Sequence, residues 1–234
     1  MDKRRLRPVR SYVLRQGRLT DAQARALKTL WPVYGIDEAN GPLDCRQLFG
    51  REAPLVVEVG FGDGAATWRM AQAEPDKNFI GIEVHQPGVG RLLQALDSRK
   101  LGNVRIARAD AVEFIRDRLA PDSISELRIY FPDPWPKKRH HKRRIVQAAF
   151  LDLLAARMAP GAILHLATDW EPYAEHMLEV LEAHPGFVNQ SPGGGYCGRP
   201  WWRPLTKYER RGDRLGHTSR DLVYRHRQPE TPVP

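Results

Sequence analysis

The sequence predicts an α/β fold with a largely parallel central sheet and helices on both faces. Two observations lead to this fold class. Short apolar segments recur from residue 55 onward, and amphipathic stretches of helix length separate them. Strands that are buried on both faces are nearly continuously apolar, and strand–helix alternation requires parallel crossovers. The predicted strands are LVVEVG, NFIGIEV, NVRIARAD, ELRIYFP and GAILHLATD.

The flanking segments complete the prediction. Residues 21–34 show a short helical pattern that ends at Pro32 and Gly35, which indicates an accessory helix beside the sheet. Residues 191–204 are rich in glycine and proline and predict a flexible loop, and the later DLVYRH predicts an antiparallel edge strand. We therefore expect a flexible basic tail over residues 1–18 and one domain over residues 19–234, with the loop inside it.

Composition and charge fit one globular domain with a polyanionic partner. The 234 residues are 41% hydrophobic and 28% charged, with a net charge of +9. Residues 1–18, 137–144 and 199–227 each carry +6, so the rest of the chain carries −9. Basic blocks on an acidic body indicate a nucleic-acid footprint. An anionic membrane surface is the alternative partner that this charge pattern leaves open.

Several classes of protein are disfavoured. No apolar run approaches the roughly 18 residues needed to span a bilayer, and no signal-peptide segment follows the basic N-terminus, so we expect a cytoplasmic protein. Cys45 and Cys197 lack the spacing of a disulfide framework or zinc site, and His140 and His141 have no companion ligands. We expect no metal. The oligomeric state stays open, with a monomer favoured.

The first predicted strand runs into a glycine-rich turn, Glu58-Val-Gly60-Phe-Gly62-Asp-Gly. Glycines at a strand-to-helix turn let a ligand approach the backbone. The spacing is GxGxG, not the GxGxxG of dinucleotide folds, and the carboxylate of Glu58 would repel a pyrophosphate. A ligand with a cationic or zwitterionic amino-acid portion suits the turn better, and S-adenosylmethionine meets that description.

Two further acids close the next predicted strands. Glu83 ends the second strand, where an acid accepts hydrogen bonds from ribose hydroxyls in related folds, and Asp110 ends the third, within reach of an adenine amino group. Each acid alone is explained equally well as a helix N-cap or an exposed turn. Together with Glu58 they favour one nucleoside-binding site.

The fourth predicted strand runs directly into an acid and a basic run. Prolines at 132, 134 and 136 stop the strand, so Asp133 projects from its carboxyl end, where α/β sheets bind ligands. Six lysines or arginines follow within residues 137–144. A solvated turn with a basic helix start is the simpler explanation. The alternative is a carboxylate beside a polyanion-binding surface.

The sequence also resembles the bacterial tRNA (guanine-N7)-methyltransferase family, from roughly residue 45 to 227. That family consists of class I S-adenosylmethionine-dependent enzymes with a Rossmann-like fold that methylate the variable-loop guanosine at tRNA position 46. FPDPWPKKRHHKRR is the most diagnostic motif. The motifs that carry the resemblance are EVGFGDG (58–64), GIEVHQPGVG (81–90), ARAD (107–110), FPDPWPKKRHHKRR (131–144), ATDW (167–170) and RPLTKYERRG (203–212).

The resemblance implies a role for each matching position. It implies S-adenosylmethionine contacts at Glu58, Glu83, Asp110 and Asp133, with Gly60 and Gly62 in the glycine turn, and makes Asp133 the catalytic residue. It implies tRNA as the partner. The positions that it places against tRNA are Lys137, Arg139, His140, His141, Lys142, Arg143, Arg144, Asp169, Thr206, Lys207, Tyr208 and Glu209.

Guanine chemistry then limits what Asp133 has to do. Guanine N7 has an in-plane lone pair and no proton, so methyl transfer needs alignment and not a general base. We expect Asp133 to accept hydrogen bonds from guanine and to favour the ring as it becomes cationic. For Lys137, contact with a phosphate or with guanine O6 is favoured.

Two other functions remain to be weighed at this point. A non-catalytic RNA-binding protein with a methyltransferase fold would be expected to have lost part of the set Glu58, Glu83, Asp110 and Asp133. A nicotinamide-dependent oxidoreductase is disfavoured by the glycine spacing, by Glu58 and by the absence of an evident hydride-transfer partner.

Overall fold

A computed structural model describes residues 10–13, 17–37 and 41–227, with only the backbone described at 207, 208, 211 and 213. It contains a seven-stranded sheet. The strands are β1 (Leu55–Val59), β2 (Asn78–Ile82), β3 (Val104–Ala107), β4 (Ile124–Tyr130), β5 (Met158–Thr168), β6 (Phe187–Asn189) and β7 (Arg220–His226). The helices are α1 (Asp21–Thr29), α2 (Trp31–Tyr34), α3 (Cys45–Phe49), α4 (Ala65–Ala73), α5 (Gln86–Arg99), α6 (Ala111–Arg118), α7 (Ala148–Ala155), α8 (Glu171–Glu182) and α9 (Lys207–Arg214), with a 3₁₀ helix over Lys138–Arg143.

The strand order is β3-β2-β1-β4-β5-β7-β6. Strands β1 to β5 run parallel, and β7 is antiparallel to both β5 and β6. From β1 the chain moves outward to β2 and β3, then returns to place β4 on the other side of β1. Such a reversal leaves a crevice at the carboxyl ends of the two central strands. The predicted class I Rossmann-like architecture is confirmed.

Helices cover both faces of the sheet, as the sequence predicted. Neighbouring strand residues point to opposite faces. Val57 and Ile80 belong to the core that α6, α7 and α8 cover, and Val56 and Phe79 belong to the core under α1, α4 and α5. Every residue of β1 is buried. Burial on both faces explains why the central strands are continuously apolar in the sequence.

The register aligns the carboxyl ends of the parallel strands. Val59 pairs with Ile82 on one side and with Ile129 on the other, and Ile82 pairs with Ala107. The residues that follow these strands therefore emerge along one edge of the sheet. This alignment brings the segments after β1, β2, β3 and β4 together, although they are far apart in the chain.

The accessory helix over residues 21–34 is divided into α1 and α2. Gly35 ends the helical segment as predicted, but the prediction that Pro32 ends it was wrong. Pro32 occupies the first turn of α2, where its missing N–H is not needed. Thr20 caps α1 in a capping box with Gln23, and α1 packs on α5.

The predicted late antiparallel strand is β7, and the structure adds the three-residue β6 beside it. Because β7 runs against β5, its first residues lie at the edge where the parallel strands end. Asp221 pairs there with Ala167. The 191–204 loop has no helix or strand in the described chain, apart from a bridge between Cys197 and Asp221.

Part of the predicted basic tail lies at the same edge. Residues 10–13 contact the segment after β4, while residues 1–9 and 14–16 lie outside the described residues.

None of the helices described above combines the length and the apolar composition that a bilayer-spanning helix requires.

Candidate active site

A cavity of about 660 Å³ opens at the carboxyl ends of β1 and β4, where the strand order reverses. We call it the switch-point cavity. The sequence-predicted residues Glu58, Gly60, Gly62, Glu83 and Asp133 line it, and so does Thr206. Its further lining includes Tyr12, Phe61, Asp63, Arg69, His85, Arg91, Tyr130, Phe131 and Arg210. The cavity therefore brings together most of the predicted cofactor set and one residue of the predicted tRNA set.

The glycine turn keeps the floor of the cavity open. Gly60 has a φ of 72°, a left-handed conformation that L side chains rarely adopt. A Cβ built on Gly60 would meet no atom within 4 Å, so the space beside its backbone is free. The turn leads directly into α4, whose first N–H group, at Ala65, donates to Asp63 Oδ1 at 3.1 Å.

Helix α5 approaches the glycine turn so closely that only glycine fits at residue 88. A Cβ on Gly88 would lie 1.9 Å from the carbonyl oxygen of Gly62. We predict that Gly88→Ala displaces the turn, weakens the affinity for S-adenosylhomocysteine by at least about tenfold and destabilises the fold by about 1–3 kcal/mol. Isothermal titration calorimetry and thermal unfolding measure the two effects.

Gly102→Ala is the matched control for Gly88→Ala, because a Cβ at Gly102 meets nothing within 4 Å. It should change neither quantity. If the Gly88→Ala variant bound S-adenosylhomocysteine as tightly as the unchanged protein, the close approach of α5 would not contribute to the shape of the cavity.

Glu58 lies at the end of β1 and is only 4% exposed. Burial raises the pKa of its carboxyl group from 4.5 to about 7. Its Oε2 atom is shielded from solvent, and the hydroxyl of Thr67 beside the carboxyl group opposes part of this shift. Burying a carboxylate is costly, and Glu58 lies in the cavity wall, so a cationic group of a ligand in the cavity would reduce that cost.

Glu83 holds two loops of the cavity together. Its Oε2 accepts the N–H of Gly62 at 2.9 Å, and its Oε1 accepts the N–H groups of Val84 at 2.7 Å and His85 at 3.0 Å. A carboxylate has about four acceptor positions, so three bonds leave one for a ligand hydroxyl. Glu83 thus fixes the glycine turn and still faces the cavity.

Asp110 does not line the switch-point cavity, although Ala109 and Ala111 on either side of it do. Its Oδ1 caps α6 by accepting the N–H groups of Val112 at 2.9 Å and Glu113 at 3.4 Å. The simpler N-cap explanation therefore accounts for one oxygen of Asp110. Its contact with the adenine of a cofactor stays a prediction.

Asp133 is exposed at the mouth of the cavity, on a turn with unusual backbone geometry. Residues 131–136, the proline turn, contain two non-glycine residues with positive φ, Phe131 at 52° and Trp135 at 47°. Such conformations persist only where surrounding contacts enforce them, and they are concentrated at functional sites. The N–H of Phe131 donates to Ala167 O at 2.7 Å, which fixes the start of the turn to β5.

Two arginines of the basic run, residues 137–144, brace the proline turn from inside the protein. Arg144 is 4% exposed, and it donates to Pro134 O at 3.0 Å and Pro172 O at 3.3 Å. The guanidinium of Arg143 lies 4.0 Å from the ring centre of Trp135 and donates to Arg10 O at 2.9 Å. In this structure both side chains serve internal contacts, and the tRNA contacts predicted for them stay predictions.

The other cations of the basic run face solvent. Lys137, Arg139 and Lys142 are exposed on the same edge as Asp133. Partial loss of hydration and the charges of nearby arginines lower the pKa of His140, so its ring is neutral at pH 7. His141 is half-buried beside Arg144, 3.3 Å from its guanidinium. The run thus divides into exposed cations and internal supports.

The predicted tRNA residues that follow β5 and β6 lie close together at the start of α9. Thr206 lines the cavity and caps α9 by accepting the N–H of Glu209 at 3.1 Å. Asp169 packs against the same helix, so close that a Cβ on Gly212 would lie 2.7 Å from its Oδ2. The side chains of Lys207 and Tyr208 lie outside the described residues. Glu209 is buried, and both of its oxygens accept hydrogen bonds from Arg203.

Sequence reasoning missed four residues that complete this site. Tyr12 and Arg210 line the cavity, and Arg203 and Asp221 form buried ion pairs next to it. Tyr12 and Arg210 lie in segments that are rich in arginine, where a pattern does not separate lining residues from solvated ones. Arg203 begins the motif RPLTKYERRG, but Asp221 lies 18 residues later and outside that motif, so the sequence does not pair the two.

Comparison with known proteins places the chain in a family. A family model described as "Putative methyltransferase" matches residues 52–222. A protein from Streptomyces coelicolor named tRNA (guanine-N(7)-)-methyltransferase is 52% identical over 229 residues, which cover 97% of this chain and 84% of that protein. The chain belongs to the tRNA (guanine-N(7)-)-methyltransferase family. Relatives with the same name from Chromohalobacter salexigens (54% identical, covering 93% of this chain and 89% of the relative) and Aeromonas hydrophila (53%, covering 94% and 93%) agree.

Membership in this methyltransferase family confirms the resemblance drawn from the motifs. It excludes the nicotinamide-dependent oxidoreductase alternative. Among solved structures, the 16S rRNA methyltransferase KamB superposes with a TM-score of 0.60 at 17% identity, covering 83% of this chain and 99% of that one. At that identity the likeness concerns the fold alone, and it agrees with the strand order described above.

Proposed function

We propose that the protein transfers the methyl group of S-adenosylmethionine to N7 of the variable-loop guanosine at tRNA position 46. The products are N7-methylguanosine and S-adenosylhomocysteine. One observation supports this function above the others. The buried acid Glu58 lines the switch-point cavity together with Glu83, and the exposed Asp133 and basic run lie at the mouth of the same cavity.

The lining of the cavity fits S-adenosylmethionine. A volume of about 660 Å³ is in the usual range for small-molecule sites, about 300–1,000 Å³. The negative charge of Glu58 in the cavity wall suits a cationic ligand, and the remaining acceptor position of Glu83 suits a ribose hydroxyl. The open space beside Gly60 admits the ligand to the backbone. When bound, the cofactor supplies a methyl group on a positively charged sulfur.

The residues at the mouth of the cavity have to align a guanine and favour its charge. Guanine N7 carries no proton, so no residue has to remove one before methylation. We propose that Asp133 accepts hydrogen bonds from the donor groups of the base and stabilises the positive charge that the ring gains. The braced proline turn holds Asp133 in place, so little reorganisation is needed when the base arrives.

The exposed cations of the basic run are proposed to bind tRNA phosphates. Lys137, Arg139 and Lys142 lie on the edge that carries Asp133, and Arg143 and Arg144 hold that edge in shape. We propose a phosphate or guanine O6 as the partner of Lys137. Such contacts supply affinity that depends on salt and little on sequence, so selection of one guanosine depends on tRNA shape.

We predict that the double substitution Arg139→Gln with Lys142→Gln weakens tRNA binding about tenfold near 0.15 M salt. Each lost phosphate contact should reduce the slope of log affinity against log salt by about 0.7–0.9. Affinity for S-adenosylhomocysteine should stay unchanged, because neither side chain lines the cavity. Fluorescence anisotropy with labelled tRNA over a salt series measures both quantities.

The control for this pair is Arg46→Gln with Lys100→Gln. Both residues are exposed cations near the amino ends of the parallel strands, at the opposite end of the sheet from the cavity. The two substitutions remove the same total charge as the test pair. If the control reduced the salt slope as much as the test pair, the basic run would not be the tRNA surface.

The function is tested with methyl-labelled S-adenosylmethionine and unmodified tRNA transcripts that carry guanosine or adenosine at position 46. Label that depends on the guanosine, mapped as N7-methylguanosine, is the expected result. Tight and salt-sensitive tRNA binding without any transfer would overturn the proposal and favour a binding protein.

A further inference from the structure

A buried ion cluster lies behind α9, and the chemistry proposed above does not use it. The guanidinium of Arg203 is fully buried and contacts two carboxylates. It donates to Asp221 at 2.6 and 2.8 Å and to Glu209 at 2.7 and 2.8 Å. Arginine presents its donors in a planar fork that matches two carboxylates at once, which lysine cannot do.

The cluster continues into the end of the sheet. Asp221 Oδ1 lies 2.8 Å from Nε2 of His165, and Nδ1 of that ring lies 2.9 Å from the hydroxyl of Tyr130. Trp202 Nε1 donates to the same Nδ1 at 3.3 Å. We assign the ring proton to Nε2, because Nδ1 then accepts from both donors. Burial lowers the pKa of His165, so the ring is neutral at pH 7.

These contacts connect the cavity wall to β4, β5 and β7. Glu209 follows Thr206, which caps α9 and lines the switch-point cavity together with Arg210. Arg203 also lies 5.6 Å from the ring centre of Phe131, in the proline turn that carries Asp133. One guanidinium therefore contacts residues from both sides of the mouth of the cavity.

We propose that Arg203 is a positioning residue, which sets Thr206, Arg210 and the proline turn in their relative places. Glu209 then acts on the reaction through Arg203 and not by touching tRNA. The proposal rests on the methyltransferase function proposed above. It gives Glu209, which the family resemblance placed against tRNA, a partner inside the protein.

The first test is Arg203→Lys, which keeps the charge and loses the fork. We expect kcat for tRNA methylation to fall about 10- to 100-fold at a temperature where the variant is fully folded. Tyr224→Phe is the control. Tyr224 is fully buried on the same strand as Asp221 and donates to Glu182 at 2.5 Å, but neither lines the cavity. It should lower the melting temperature and leave kcat within about twofold.

A double-mutant cycle separates the two roles of Glu209. If Glu209 acts through Arg203, Glu209→Gln combined with Arg203→Lys should lose no more kcat than the more damaging single substitution. Multiplied losses would indicate a direct contact between Glu209 and tRNA and would overturn the proposal. Unchanged kcat in Arg203→Lys would overturn it as well.

Hydrogen exchange tests the anchoring independently of activity. Arg203→Lys should speed exchange at the backbone amides of α9, whereas Tyr224→Phe should not. If the unsubstituted protein methylated no tRNA, the function proposal would fail, but hydrogen exchange would still test whether Arg203 anchors α9. Unchanged exchange in α9 would overturn the positioning role.

Discussion

Replacing Asp133 with asparagine is expected to lower kcat for tRNA methylation about 100-fold or more. The variant keeps the size of the side chain and removes the charge that we propose stabilises the guanine ring as it becomes cationic. Asp133 is exposed, and it has no partner in the hydrogen bonds described for the protein, so the fold should be unaffected. Single-turnover methylation at saturating tRNA and cofactor measures the effect.

The control is Asp76→Asn, which removes an exposed carboxylate between α4 and β2 at the opposite end of the strands. It should leave kcat unchanged. Full turnover by Asp133→Asn would show that charge at this position does not contribute, and Asp133 would then act through shape or hydrogen bonding alone.

Replacing Glu58 with glutamine is expected to weaken S-adenosylhomocysteine binding by one to two orders of magnitude. The reason is the loss of the negative charge that we propose faces the cationic ligand, since a hydrogen bond to a charged group contributes about 1.5–3 kcal/mol. Binding to the unchanged protein should weaken as the pH falls below about 7, because the carboxyl group becomes protonated there. The glutamine variant should lack this pH dependence. Calorimetry between pH 5.5 and 8.5 measures both.

The same substitution should stabilise the protein without its ligand. The folded-state pKa of Glu58 is raised from 4.5 to about 7, so the folded protein holds this proton more tightly than the unfolded chain. Stability is therefore lost as the pH rises from about 4.5 to 7, and the full cost applies above 7. Glu58→Gln should be more stable by about 1–3 kcal/mol at pH 8 and little changed below pH 5.

Thermal unfolding of the two ligand-free proteins at pH 5 and pH 8 measures this pH-dependent difference in stability. A glutamine variant that is less stable at pH 8 would mean that the carboxylate is satisfied without a ligand. The burial of Glu58 would then be no evidence for the cofactor.

The strand pattern was predictable because each central strand is buried on both faces. The five predicted strands correspond to β1 to β5, with ends shifted by a few residues. Asp133 was placed correctly at the end of β4 because prolines cannot continue a strand. Strand β6 was missed, since three residues with one buried side chain give no periodic signal.

The sequence did not predict which cations of the basic run face solvent and which make contacts inside the protein. Arg139 and Arg144 are equivalent in a sequence pattern, but the first faces solvent and the second donates to the carbonyl oxygens of Pro134 and Pro172. Which arginine is internal depends on where the 3₁₀ helix turns and on the carbonyl group of Pro172 that α8 places beside Arg144. Both are properties of the packed structure.

The sequence by itself determined the parallel sheet, the glycine turn and the acids at the strand ends, because local periodicity and proline and glycine placement encode them. Only the tertiary structure decided that Glu58 is buried in the cavity wall, whereas Asp110 caps α6. It also decided that Arg203 and Asp221 meet behind α9. The reason is that β7 returns antiparallel to β5, which brings a late strand to the edge where the early strands end.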